Sequence, residues 1–165
     1  MSQLKSGIEF HWLQYDQLPD FGIYLDQMLS VVNDALAGIL NEPITSPMIN
    51  NYIKNKALPS AVKKRYYRDH VCRLIIMGML KPVFSVQQIA HLFEIIEVSC
   101  TLENAYIYFC SQFSKALASG FQEDIINDAP LDTCPTFSLL STMARAAAYR
   151  VNAERYLMQF TAEGR

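Results

Sequence analysis

Long apolar runs are missing from this 165-residue chain. The greasiest stretch, "VCRLIIMGML", is interrupted by Arg73 and falls well short of the roughly 20 residues that a membrane helix needs. The N-terminal "MSQLKSGIEFHWLQYDQLPDF" lacks an apolar segment followed by a small-residue cleavage site. A soluble, cytoplasmic protein with no membrane partner is therefore expected. Paired thiols are missing too: Cys72, Cys100, Cys110 and Cys134 form no Cys-x-x-Cys, and His11, His70 and His91 are not spaced to complete a metal site with them. No metal and no cofactor is expected. Such thiols are read as small buried apolar groups, with Cys100, Cys110 and Cys134 kept as candidates for redox or ligand sensing. There is no His-Glu-x-x-His, no glycine-rich phosphate loop and no nucleophile elbow, so catalysis is not expected.

Acids are scarce in one stretch. From Met48 to Lys81 the bases are Lys54, Lys56, Lys63, Lys64, Arg65, Arg68, Arg73 and Lys81, against Asp69 alone, whereas the rest of the chain holds 6 bases and 15 acids. In a chain of net charge −2 this is a strongly polarised distribution. One face that meets a polyanion would produce it, and so would a solvated, lysine-rich loop.

Half the residues are apolar, with no repeat and no low-complexity segment, and the punctuation by proline and glycine divides the chain into helices. The periodicity predicts a helix from about 20 to 40 with Asp20 as N-cap. A second runs from Thr45 as N-cap, through Pro47 in the first turn, to about Asn55. Met48, Ile49, Tyr52 and Ile53 would face inward, leaving Asn50, Asn51, Lys54 and Asn55 outward. "KALPSAVKKRY" is too short and proline-interrupted for a helix and is expected to form an extended loop or a two-stranded wing. A third helix follows from Tyr67 to about Leu80. A fourth opens at the capping box Ser85-x-x-Gln88. A fifth runs from Thr101 to about Ser119, closed by Gly120, and is apolar around much of its circumference, which suits the centre of a core or a dimer interface. "QEDIINDAPLDTCP" reads as an acidic loop before a last helix from about Thr136 to Phe160.

The expected class is all-α. A helix, a turn, a second helix with polar and basic residues outward and then a basic loop make up the layout of a helix-turn-helix with a small wing. Asparagine can pair bidentately with the N6 and N7 edge of adenine, which makes Asn50, Asn51 and Asn55 candidates for the major groove. Lys54, Lys56, Lys63, Lys64, Arg65 and Arg68 would neutralise phosphates, with Tyr66 in the wing.

The stretch "TSPMINNYIKNKALP" together with "KKRYYRDHVCRLIIMGMLKPVFSVQQI" resembles the DNA-binding region of MerR-type transcription regulators. The resemblance assigns Tyr52 to the recognition helix, Leu58–Pro59 to its exit, Lys64 and Tyr66 to the wing, and Phe84-Ser85-Val86 with Ile89 to the start of the next helix. The chain departs from that pattern at Asn50, where the larger family tends to carry arginine, and at Lys56, where it tends to carry glycine. With "LPDFGIYLDQM" added, residues 18–120 look like the bacterial family catalogued as domain of unknown function 1836, which implies a MerR-like helical fold and no established activity.

These readings divide the chain into an N-terminal extension (1–17), a MerR-like helix-turn-helix region with a short basic wing (18–98) and a C-terminal helical region (99–165) that serves as core, dimer interface or effector pocket. The expected function is a DNA-binding transcriptional regulator whose partner is double-stranded DNA, acting as a homodimer. The alternative is a helical interaction module whose basic face docks an acidic protein. Tyr106, Tyr108, Phe109, Phe113 and Phe137 are read as plain core or as the lining of an apolar effector cavity.

Overall fold

The computed structural model describes residues 10–120 and 134–164. Among these residues the regular structure is helical: a 3-10 turn at Tyr15–Gln17, then α1 (Leu25–Ala35), α2 (Ser46–Lys54), α3 (Arg68–Leu80), α4 (Val86–Ser99), α5 (Leu102–Ser119) and α6 (Pro135–Glu163). The all-α expectation holds. Most of the acidic segment ahead of α6 lies outside the described residues.

Helix starts follow local chemistry where the cap is local. Ser85 Oγ accepts from the Gln88 N–H at 3.1 Å while Gln88 Oε1 accepts from the Ser85 N–H at 2.9 Å, closing the box that opens α4. Thr101 Oγ1 accepts from Asn104 N–H at 3.1 Å at the head of α5. Each cap satisfies main-chain donors that the first helical turn leaves without partners. The first helix departs from expectation. Asp20 does not cap it, because Ile23 exchanges main-chain hydrogen bonds of 2.8 and 2.9 Å with Tyr66, which holds residues before Tyr24 extended. The helix begins instead after Tyr24, whose N–H is accepted by Gln27 Oε1 at 2.8 Å, and it gives way near Gly38, where φ reaches 82°.

The core centres on α3, buried on every side from His70 to Leu80. Gly78 is what lets α1 and its following turn approach this helix. A Cβ there would sit 2.5 Å from Leu36 Cδ1 and 3.3 Å from Ile44 Cδ1. Helix α5 packs along α6 and against α3, burying Ala105, Tyr106, Phe109, Cys110, Phe113 and Leu117 and leaving Ile107 exposed. The N-terminal strap crosses the same helix: Phe10 meets Phe113 edge-on at 5.5 Å, Trp12 meets Tyr106 at 5.8 Å, and the Tyr106 hydroxyl donates to the Leu13 carbonyl at 2.7 Å. Tyr106, Phe109 and Phe113 are thus fully buried, and Tyr108 packs edge-on against Phe137 at 4.9 Å.

Arg73 leaves the surface charge count. Its guanidinium is buried over the Phe93 ring, 4.7 Å from the centroid, and pairs with Glu97. The basic excess of the 48–81 stretch is smaller at the surface than the sequence suggests.

Candidate nucleic-acid interface

Helix α2 packs through Ile49 and Tyr52, both buried, and leaves Asn50, Asn51 and Lys54 outside the core. Asn55 serves the helix end itself: its Nδ2 donates to the Asn51 carbonyl at 2.8 Å and to Asn51 Oδ1 at 2.9 Å, and its Oδ1 accepts from Gln87 Nε2 of α4 at 3.3 Å. Of the three asparagines it has the most of its hydrogen-bonding capacity already engaged.

The chain leaves α2 through a Schellman turn, in which the Ala57 N–H reaches the Tyr52 carbonyl at 3.0 Å and the Lys56 N–H reaches the Ile53 carbonyl at 3.0 Å. That turn needs a left-handed residue. Lys56 supplies it at φ 59°, a position where glycine is the usual occupant.

The basic loop then forms a two-residue hairpin, an isolated bridge between Val62 and Arg65 rather than a pair of named strands. Lys63 and Lys64 occupy its tip at φ 49° and 63°. Both central positions of such a turn favour Asn-Gly, because residues with a side chain are strained at positive φ. Among the described residues, the three at positive φ other than glycine are all lysines, and all three are exposed.

The arginines and Tyr66 have different roles. Tyr66 is 8% exposed, paired to Ile23 through its main chain and edge-on to His70 at 5.3 Å, so its ring is core rather than surface. Arg65 Nη1 donates to the Gly22 carbonyl at 3.1 Å, and its guanidinium lies 4.0 Å above the Tyr24 ring. Arg68 Nη2 donates to the Leu18 carbonyl at 3.0 Å, with its guanidinium 5.0 Å from the Tyr15 ring. Both arginines tie the segment before α1 to the hairpin. His70 pins the other side: its Nδ1 accepts from Tyr67 N–H at 3.0 Å and its Nε2 faces the Ser60 carbonyl at 3.1 Å, which together fix the Nε2–H tautomer.

Around this frame lies a collar of apolar surface absent from the sequence-derived set. Phe21 (67% exposed), Tyr24, Val62 and Tyr67 are all exposed on the hairpin and on the segment before α1 that Arg65 ties to it. Gly22 makes room for it, since a Cβ there would lie 3.0 Å from Arg65 Cβ and 3.1 Å from the Tyr67 ring. The sequence signal was the doublet Tyr66-Tyr67, where extended backbone sends neighbours to opposite sides. One ring goes in and one out.

An all-helical domain carrying a lysine-tipped hairpin is thus the class that the fold and surface define. The chain belongs to the family described as Domain of unknown function (DUF1836), whose sequence profile matches residues 13–109. That span includes α2, the hairpin, the collar and all ten residues singled out from the sequence. No curated protein and no solved structure matches the chain. Among the described residues no helix is long and apolar enough to cross a membrane, and no cluster of three or more histidine, cysteine or carboxylate side chains could hold a metal.

Proposed function

We propose that this protein is a DNA-binding transcriptional regulator of MerR-like type, with α2 as the recognition helix and the hairpin as its wing. Asn50, Asn51 and Lys54 are the residues directed at base edges, and Lys56, Lys63 and Lys64 bind phosphate. Arg65, Tyr66 and Arg68 act as the frame that sets the hairpin against α1 and α3, and Asn55 as the bond between α2 and α4.

The observation that carries this reading is the placement of three exposed lysines in left-handed backbone. Each such position costs roughly 1–2 kcal/mol that glycine would avoid. Local rules broken without a packing gain mark positions retained for function, and what lysine adds over glycine is a charge on a long stem. A homodimer, the commonest oligomer, would pair two α2 helices about one DNA turn apart and so lengthen the sequence read.

Fluorescence anisotropy with a mixed pool of duplex DNA at two salt concentrations tests it. Wild type should bind, with affinity falling as salt rises, and alanine at Lys56, Lys63 and Lys64 should flatten the slope of log affinity on log salt by about 0.9 for each phosphate no longer neutralised. Arg65 is kept out of the variant because its removal would loosen the hairpin. No binding by wild type at low salt sinks the proposal.

The exposed collar of Phe21, Tyr24, Val62 and Tyr67 favours a second reading, in which an acidic protein with an apolar patch docks on this face. Capture from nuclease-treated lysate separates the two. A partner retained after nuclease and released on Lys63→Ala and Lys64→Ala supports docking to protein.

A further inference from the structure

Helix α6 outruns the helix it packs along. Asn152 Nδ2 donates to the Leu117 carbonyl of α5 at 3.3 Å, and α5 ends at Ser119, whereas α6 continues to Glu163. Just past that point α6 is tied to the turn after α1: Arg155 Nη2 donates to the Gly38 carbonyl at 2.7 Å, and Glu154 Oε2 accepts from Asn41 Nδ2 at 3.3 Å. From Leu157 to Ala162 every residue is exposed, Leu157, Met158 and Phe160 included. A helical stretch this short gains too little from its own hydrogen bonds to be stable without packing.

The same helix carries two apolar faces. Leu140, Ala144, Ala147, Ala148 and Val151 are buried against the body of the protein. About 180° round the helix, at 3.6 residues per turn, run Tyr149, Ala153, Tyr156 and Phe160. Tyr149 is 50% and Phe160 63% exposed, Ala153 is exposed and Tyr156 half-buried. Steps of four, three and four residues are those of a two-helix coiled-coil seam. The seam holds no charge. Arg150 and Glu154 pair with each other, and Arg155 is held by the Gly38 carbonyl.

We propose that this seam pairs with the same seam of a second copy, the two α6 helices running antiparallel about a two-fold axis between Glu154 and Arg155. Tyr149 and Phe160 lie equally far from that axis along the helix, as do Ala153 and Tyr156. Tyr149 therefore meets Phe160 of the second copy, ring against ring, and Ala153 meets Tyr156 of the second copy, small against large. Each contact occurs twice, as a two-fold interface requires. A parallel pair would instead set Ala153 against its own counterpart between two layers of rings and leave a gap there. Two exposed rings per copy, at about 100 Å² each, with Ala153, Tyr156 and Leu157 beside them, give about 1,000 Å² over both copies. That is the lower end of specific interfaces, which suits a dissociation constant on the order of micromolar. The seam gives a homodimer its contact surface whether or not the chain binds DNA.

The test is sedimentation velocity of the full chain without DNA, from about 1 to about 100 µM, a range that brackets a micromolar dissociation constant. Wild type should pass from monomer to dimer. Phe160→Glu and Tyr149→Lys should each weaken association at least tenfold by placing an unpaired charge in the seam. Both positions are exposed, so thermal melts at the monomeric end of the range should not move. Tyr149→Lys combined with Phe160→Glu should associate several-fold more tightly than either single variant, because the antiparallel register sets each lysine opposite a glutamate of the second copy. Val98→Glu, at an 88% exposed position on α4, should leave association unchanged. Three results overturn the proposal: wild type still monomeric at about 100 µM, a dimer that neither single variant weakens, or a double variant no tighter than the singles.

Discussion

Val62 and Arg65 exchange two main-chain hydrogen bonds of 2.9 Å, and the residues held between them, Lys63 and Lys64, both take positive φ. The bonds impose a mirror-image turn, and the sequence fills it with two residues that disfavour it. Replacing Lys63-Lys64 by Asn-Gly should therefore stabilise the protein by about 1–2 kcal/mol while weakening duplex DNA binding. Lys56→Gly, in the Schellman turn after α2, should stabilise by up to about 1 kcal/mol, partly offset by the greater freedom of glycine in the unfolded chain. Urea denaturation and DNA anisotropy on the same variants read both effects. If stability and binding fall together, the lysines are part of the frame and not a retained charge.

Arg65 should behave oppositely to its neighbours. Its guanidinium spans the Gly22 carbonyl and the Tyr24 ring. Arg65→Ala should cost about 1–2 kcal/mol, because it removes a charged hydrogen bond and the stacking on the ring. Lys63→Ala and Lys64→Ala, at exposed positions, should change stability by no more than about 0.5 kcal/mol. Thermal melts of the three single variants distinguish them, and equal destabilisation would remove the division between frame and tip.

The contrast between Arg65 and Lys64 marks the limit of what was legible in the sequence. Ser85 with Gln88, and Thr101, announced their helices because a cap is a bond between residues three apart, whereas Thr45 takes the N-cap position of α2 with no side-chain cap bond. Tyr66 and Ile23 lie far apart along the chain, and only the folded protein shows that their pairing holds residues before Tyr24 extended and displaces the start of α1. Charge was legible as a count but not as a position. Arg73 is neutralised by Glu97 from another helix, and Arg65 and Arg68 reach carbonyls far back in the chain. The lysines that remain outward were visible from the start, whereas the left-handed backbone beneath them was not.

Gly78 sets two effects of similar size against each other. Alanine in a helix interior is favoured over glycine by about 1 kcal/mol, yet a Cβ at this position falls 2.5 Å from Leu36 Cδ1, in a side chain that is itself fully buried. Overpacking of a closed core typically costs about 1–3 kcal/mol. Gly78→Ala should therefore be destabilising on balance, and Gly78→Ala combined with Leu36→Val should recover part of the deficit, both read by urea denaturation. A stabilised single variant would mean that α1 moves aside more easily than its packing implies.

Alkaline pH should weaken the fold through Cys72. Burial raises this thiol from 9.0 to about 12 in the folded chain. Above about pH 9 the unfolded chain releases the proton while the folded chain keeps it, so the unfolded state gains and stability falls as pH rises, by about 1.4 kcal/mol per unit until the folded thiol also ionises. Below that range the group contributes no pH dependence. Cys110 and Tyr106, also raised by burial, act in the same direction, so the wild-type slope alone does not isolate one group. Cys72→Ala does: it should cost stability at neutral pH because a buried side chain is shortened, but its deficit should narrow between about pH 9 and about pH 11 as the unfolded wild type ionises. Parallel stability curves across that range would show that Cys72 ionises as readily in the folded chain as in the unfolded one, which a fully buried position on α3 does not permit without opening.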